Sequence, residues 1–201
     1  MALHAHALAV GRGGLVLADA LQFELANGKC LLLRGPNGVG KSTLLLTLAG
    51  IVAPLGGSFA LSPAPEDRPL LHYCGHRNAI KPRLSVLENL AFWAALNGPT
   101  GTSLAEALQT VGLDELGGLD AGYLSAGQGR RLALARLLVS ARPLWLLDEP
   151  TAALDSNGHE LVGALIDAHL AAGGLVVAAT HDPITPTDPN SVETLVMAGL
   201  R

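Results

Sequence analysis

Eight consecutive residues, Gly35-Pro36-Asn37-Gly38-Val39-Gly40-Lys41-Ser42, match the pattern GxxxxGK[ST], the spacing of a loop that folds round phosphate groups. Its glycines let successive backbone N–H groups turn inward on an anion, and a helix starting there adds its positive end. Lys41 would reach the outer phosphates, the Ser42 hydroxyl would ligate Mg2+, and Thr43 would complete the cradle. Two carboxylates, Asp148 and Glu149, close the apolar run Leu144-Trp145-Leu146-Leu147. If that run shares a sheet with the strand before the glycine loop, Asp148 would hold the metal through water and Glu149 would polarise the attacking water. Alone, such a pair is commonly a solvated turn, and only the glycine loop gives it a task. His181 directly follows LVVAAT, where an imidazole at a strand end could hydrogen-bond a γ-phosphate. A second anion-ready helix start lies at Leu124-Ser125-Ala126-Gly127-Gln128, with Arg130 and Arg131 just inside it. The alternative there is an ordinary capped helix. One chain needs a single cradle, so a second has a purpose if it caps a nucleotide held by another subunit.

A sheet must bring these groups together, and the chain alternates the elements to build one. Residues 29–33 (KCLLL) predict a short buried strand feeding the loop, and 42–50 a buried helix stopped by Gly50. Residues 55–61 predict an edge strand, the run 63–69 (PAPEDRP) a surface loop, and 70–74 a further strand. From about residue 80 the signals become helical. Ser85 with Glu88, and Ser103 with Glu106, have the spacing of capping boxes and predict helices over 86–96 and 104–111. A periodic run after Ser125 extends this helical insert to about residue 142. Strand logic resumes at LWLLDE, followed by a helix over 157–171 and strands over 175–180 and 192–197. Strands alternating with helices predict one α/β domain spanning 1–201 with a mostly parallel sheet.

Composition narrows the functional classes. Of 201 residues, 49% are hydrophobic but only 3% aromatic, so the core is built from aliphatic side chains. Charged residues are just 15% and mean hydropathy is +0.38, which predicts that a partner covers part of the exterior. The net charge of −4, with 13 scattered basic residues, argues against nucleic acid as a partner. Cys30 and Cys74 lack metal-site spacing and read as buried thiols. No stretch reaches the roughly 18 apolar residues a membrane span needs. Residues 1–10 show neither a basic region nor a cleavage site, predicting a chain that stays in the cytoplasm.

Taken in order, GPNGVGKST, LSAGQ, LLDEP, AALD and His181 resemble the nucleotide-binding domain of ATP-binding cassette (ABC) proteins over nearly the whole chain. The resemblance implies an α/β P-loop NTPase of the ABC type, with an antiparallel edge on the parallel sheet and a helical subdomain over about 80–142. It implies ATP as substrate and Mg2+ as cofactor. LSAGQ would be the signature motif, usually LSGGQ, with Ser125, Gly127 and Gln128 facing ATP held by the other subunit of a head-to-tail homodimer. Asp155 would belong to the D-loop, and His181 would be the switch histidine.

Two positions depart from the family pattern. The family's adenine-stacking aromatic is missing from residues 9–17. Arg12 is the nearest candidate, because a guanidinium plane can stack on a base, and a solvated arginine in a glycine turn is the equal alternative. After LLHYC, where a glutamine is expected, the chain reads Gly75-His76-Arg77-Asn78. Arg77 carries the wrong charge for a Mg2+ contact and would instead couple the site to a partner.

Within the family, GHRNAIKPRLSVLENLAFW together with LSAGQGRRLALARLL is similar to the ATP-binding subunits of haem-export complexes in bacterial cytochrome c maturation. That implies integral membrane partners of the CcmB/CcmC type, docked near residues 80–93, and a peripheral position on the cytoplasmic face of the inner membrane. ATP hydrolysis would then drive release of a haem-loaded chaperone. Another ABC transporter, a soluble ABC ATPase on a cytosolic scaffold, and a small-molecule phosphoryl transferase are the alternatives; the last would leave LSAGQ without a role.

Overall fold

A computed structural model describes residues 1–63, 69–182, 184 and 186–198. The chain opens with a long hairpin, β1 (Ala2–Arg12) and β2 (Leu15–Ala26), joined by Gly13 and Gly14. Both glycines have positive φ, the backbone that a tight two-residue hairpin turn demands. Next come β3 (Cys30–Arg34), α1 (Lys41–Leu48), β4 (Gly56–Ser62) and β5 (Leu71–Cys74). The helical stretch holds α2 (Val86–Asn97), α3 (Leu104–Thr110) and α4 (Ala126–Leu138). β6 (Leu144–Asp148), α5 (Ser156–Ala171), β7 (Leu175–Ala179) and β8 (Val192–Val196) complete the order. Most of the run expected as a surface loop at 63–69 lies outside the described residues.

The strands form two sheets. Five of them pair in the order β5-β6-β7-β3-β8, every pairing parallel. The antiparallel part expected as an edge is a separate sheet, ordered β2-β1-β4. The inner strands β6, β7 and β3 carry unbroken apolar runs because both of their faces are covered, whereas the edge strand β8 (VETLV) is largely exposed. Leu31, Leu33, Leu144, Leu146, Leu175 and Val177 pack with α1 and the antiparallel sheet. Their alternating neighbours Cys30, Leu32, Trp145, Leu147, Val176 and Ala178 face α4 and α5. Both cysteines are buried and unpaired, and burial pushes the Cys30 thiol up to about 12.

α4 is the shared wall of two cores. Ala133, Leu134 and Leu137 face the sheet, whereas Leu132, Ala135 and Val139 join Val86, Leu90 and Leu108 from α2 and α3. Both expected capping boxes are present, at Ser85/Glu88 and Ser103/Glu106. Truncating wholly buried Leu90 to alanine should cost about 2–5 kcal/mol. Among the described residues, no helix is long and apolar enough to cross a membrane.

Candidate functional site: a cavity at the strand ends

In the sheet order, β6, β7 and β3 are parallel neighbours, so the loops leaving their carboxyl ends meet along one edge, where open α/β sheets place ligands. A cavity of about 580 Å3 opens there. The loop after β3 contributes Asn37, Gly38 and Gly40, the start of α1 Lys41, Ser42 and Thr43, the end of β6 Asp148 and Glu149, and the turn after β7 His181 and Asp182. Arg12 reaches the rim from the hairpin, and His76 from the loop after β5. Lys41, Ser42, Asp148, Glu149 and His181 thus line one cavity at this edge.

Polar contacts within the cavity run between these groups. Lys41 Nζ donates to the carbonyls of Gly35 at 2.7 Å and Pro36 at 3.2 Å, and lies 3.4 Å from His181 Nε2. Ser42 Oγ donates to Asp148 Oδ1 at 3.0 Å. Asp148 is 5% exposed and, among the described residues, has no basic partner. Glu149 has φ +49°, a left-handed backbone that costs a non-glycine residue about 1–3 kcal/mol. Its Oε2 accepts from the His181 N–H at 3.2 Å, and its Oε1 lies 3.6 Å from His181 Nε2. Gly40 enters α1 at φ +106° with no side-chain cap, leaving the first N–H groups of the helix free of side-chain acceptors. Gly35 is required by space, since a Cβ there would meet the Met197 carbonyl oxygen at 2.4 Å. Val39 is buried in the core beneath the loop.

A second group of expected residues sits together but outside this cavity. Ser125 caps α4: its Oγ accepts from the Gln128 N–H at 3.2 Å while Gln128 Oε1 accepts from the Ser125 N–H at 2.9 Å. Gly127 approaches the turn before α5 so closely that a Cβ would lie 2.9 Å from the Ala153 carbonyl oxygen. Asp155 caps α5 by accepting from the Gly158 N–H at 2.8 Å, and pairs with Arg131 at 3.3 Å. The Gly158 amide first, with Arg131 adding to it, holds the Asp155 carboxyl below its usual range.

Three residues to which the sequence reading gave no role at the cavity lie beside it. His76, next to the expected Arg77, lines both this cavity and a neighbouring cleft of about 730 Å3; Arg77 lines only the cleft, with Tyr73, Trp93 and Arg136. Asp182 accepts from Thr151 Oγ1 at 3.0 Å. Arg130, 2% exposed, lies behind the carboxylates.

Residues 18–152 match the ABC transporter family. The chain belongs to that family. This ABC chain is 52% identical over 176 residues to the cytochrome c biogenesis ATP-binding export protein CcmA of Rhodopseudomonas palustris (strain BisB5), covering 86% of this chain and 88% of that one. The protein of the same description from Rhizobium meliloti (strain 1021) is 48% identical over 201 residues, covering 96% and 97%. Among solved structures, a putative ABC transporter ATP-binding protein from Pyrococcus furiosus aligns with a TM-score of 0.84 at 23% identity, covering 98% of each chain. An ATP-binding cassette in a dimeric post-hydrolysis state bound to ADP and Pi aligns with a TM-score of 0.78 at 23% identity, covering 96% and 94%. At that identity the structural likeness carries the fold, an ABC ATPase fold. Family membership makes this ABC subunit an ATPase.

Proposed function

We propose that this ATPase serves a haem-export complex in cytochrome c maturation, where ATP hydrolysis drives release of a haem-loaded chaperone. The observation carrying the pathway is identity of 48–52% to cytochrome c biogenesis ATP-binding export proteins over 86–96% of the chain. The cavity supplies the chemistry. Lys41 leaves its loop carbonyls for the outer phosphates of ATP, and the free N–H groups of α1 take the phosphates between them. Ser42 and Asp148 present hard oxygens 3.0 Å apart, which would hold Mg2+, the serine directly and the carboxylate through water. When bound, the ion offsets charge on the transferring phosphoryl group. Glu149 orients a water whose oxygen attacks the γ-phosphorus as the bond to the bridging β–γ oxygen breaks. The water proton leaves toward the Glu149 carboxylate, and His181 hydrogen-bonds the γ-phosphate.

Ser125, Gly127, Gln128 and Asp155 lie outside the cavity of their own chain, which favours a head-to-tail homodimer in which each copy completes the other's site. Arg12 is the residue placed to stack on the base. The cleft beside Arg77 and Trp93 is the docking surface for integral membrane subunits of the CcmB/CcmC type, which would hold the chain peripherally on the cytoplasmic face of the inner membrane.

The test is a cell whose sole copy is Glu149→Gln. The variant should assemble with its membrane partner, haem-bound chaperone should accumulate, and covalent haem detected by peroxidase staining should fall. Normal c-type cytochromes in that strain would remove the pathway and leave a general ABC transporter subunit.

A further inference from the structure

We infer that Arg130 is a positioning residue that holds the backbone of Glu149 in its working turn and ties that turn to the loop after β5. Arg130 lies in the second turn of α4, buried to 2% exposure, and among the described residues has no carboxylate partner. All five of its N–H donors are nevertheless used. Nε donates to the Pro150 carbonyl at 3.1 Å, and Nη2 to the carbonyls of Asp148 and Glu149, both at 2.8 Å. Nη1 reaches the other way, to the Gly75 carbonyl at 2.8 Å and Asn78 Oδ1 at 3.1 Å.

Three successive carbonyl oxygens thus converge on one cation. Such convergence turns the chain sharply, and Glu149 at the middle of it has φ +49°. The guanidinium offsets the mutual repulsion of those oxygens and satisfies them where water does not reach. Its planar fork serves two loops at once; the compact ammonium of lysine, with three donors from one point, cannot span both. Asn78 is gripped twice by α4, because Arg136 Nη1 donates to its carbonyl at 3.1 Å. A shift of α4, whose N-cap is Ser125, is therefore passed to Glu149 and to the loop bearing His76 and Arg77.

This inference rests on the reading that Glu149 acts at hydrolysis, and the experiment separates the two. ATP turnover and ATP affinity are measured for Arg130→Lys, Arg130→Met and Asn78→Ala, with melting temperature as the folding check. Arg130→Lys and Arg130→Met should lower kcat on the order of 10- to 100-fold, the scale of a misplaced catalytic group, with KM within a factor of about two. Asn78→Ala, which removes one acceptor, should lower kcat by less and in the same direction, and it carries the test if the arginine variants do not fold. In single-turnover assays, adding Arg130→Lys to Glu149→Gln should give no further loss. Full activity of Glu149→Gln alone overturns the parent reading. A slow Glu149→Gln combined with unimpaired Arg130→Lys, or with losses that multiply in the double variant, overturns this one.

Discussion

α1 and α4 begin in opposite ways. Gly40 leads into α1 through a left-handed backbone with no side-chain cap. α4 starts from a reciprocal capping box in which Ser125 and Gln128 satisfy each other's backbone N–H groups. The other helices resemble α4: Ser85, Ser103 and Asp155 each cap with a side chain. A bare helix start costs unmet N–H groups, and α1 bears that cost where a glycine loop and Lys41 surround it. The first start is ready for an anion at any time. In the second, the box takes up the Ser125 and Gln128 N–H groups, a cap worth about 1 kcal/mol, so a ligand would have to compete with it for those two amides. In the proposed dimer the first would serve as a permanent site and the second as a conditional one.

The largest effects should come from the permanent site. Lys41→Ala should abolish turnover by removing the charge that meets the phosphates. Glu149→Gln should bind ATP normally and hydrolyse it on the order of 10^2- to 10^4-fold more slowly, the usual contribution of a positioned base. Fluorescent-nucleotide titration and phosphate release measure the two separately. Full ATPase activity in Glu149→Gln would break the assignment of the cavity.

How much of this was legible follows from how local each signal is. The boxes at Ser85 and Ser103, the serine cap at Ser125 and the phosphate loop depend on residues three to seven apart, and both boxes and the cap are found where the sequence places them. Asp148, Glu149 and His181 were legible because parallel strands bring their ends to one edge. β1 and β2 were not legible from alternation. Register shifts between Ala5 and Leu8 and on to Gly11, with left-handed Ala7 and Ala20, break the period of two on which strand reading relies. The inward grip of Arg130 was not legible because its acceptors lie 18 to 55 residues away in sequence. One signal could have found it: Arg130, Ala133, Leu134 and Leu137 fall on one helical stripe, and the last three face the sheet, so the first must also point inward.

The next prediction concerns the conditional start. If α4 completes the cavity of another copy, inactive Lys41→Ala and inactive Ser125→Arg chains should complement when mixed, because one composite site per mixed dimer is intact in both halves. Up to about half of the parent rate per mixed dimer is expected in an ATPase assay. No recovery from folded, dimer-competent chains would make α4 an ordinary capped helix. A milder version is Ser125→Ala, which should lower stability by about 1 kcal/mol in urea unfolding while reducing turnover only where dimers form.

The smallest effect separates the far ends of the two helices. α1 runs out at Gly50, whose φ of +72° needs no side-chain help. Just beyond α4, the Ser140 carbonyl accepts from His72 Nε2 at 2.6 Å, a bond the imidazole donates whether or not it is charged, so it is burial that makes a proton on this ring costly at the exit of α4. Burial lowers the His72 pKa from 6.5 to about 4, with nearby Arg142, Arg136 and His169 adding to the shift against the hydrogen bond to Ser140. Between those values the unfolded chain takes up a proton that the folded chain refuses, so stability falls as pH drops through 6.5 and levels off below about 4. His169, stacked on Trp145 at 3.9 Å and lowered by burial to about 4, acts in the same direction. One such group changes stability by at most about 1.4 kcal/mol per pH unit. His72→Gln keeps a side-chain donor and removes the titration, so urea unfolding from pH 7.5 to pH 5 should show a shallower decline than the parent. Hydrogen exchange should place the acid-induced opening at the end of α4 and leave α1 protected. Equal pH slopes in the two proteins, or opening that begins at α1, would show that the two helices do not differ in this respect.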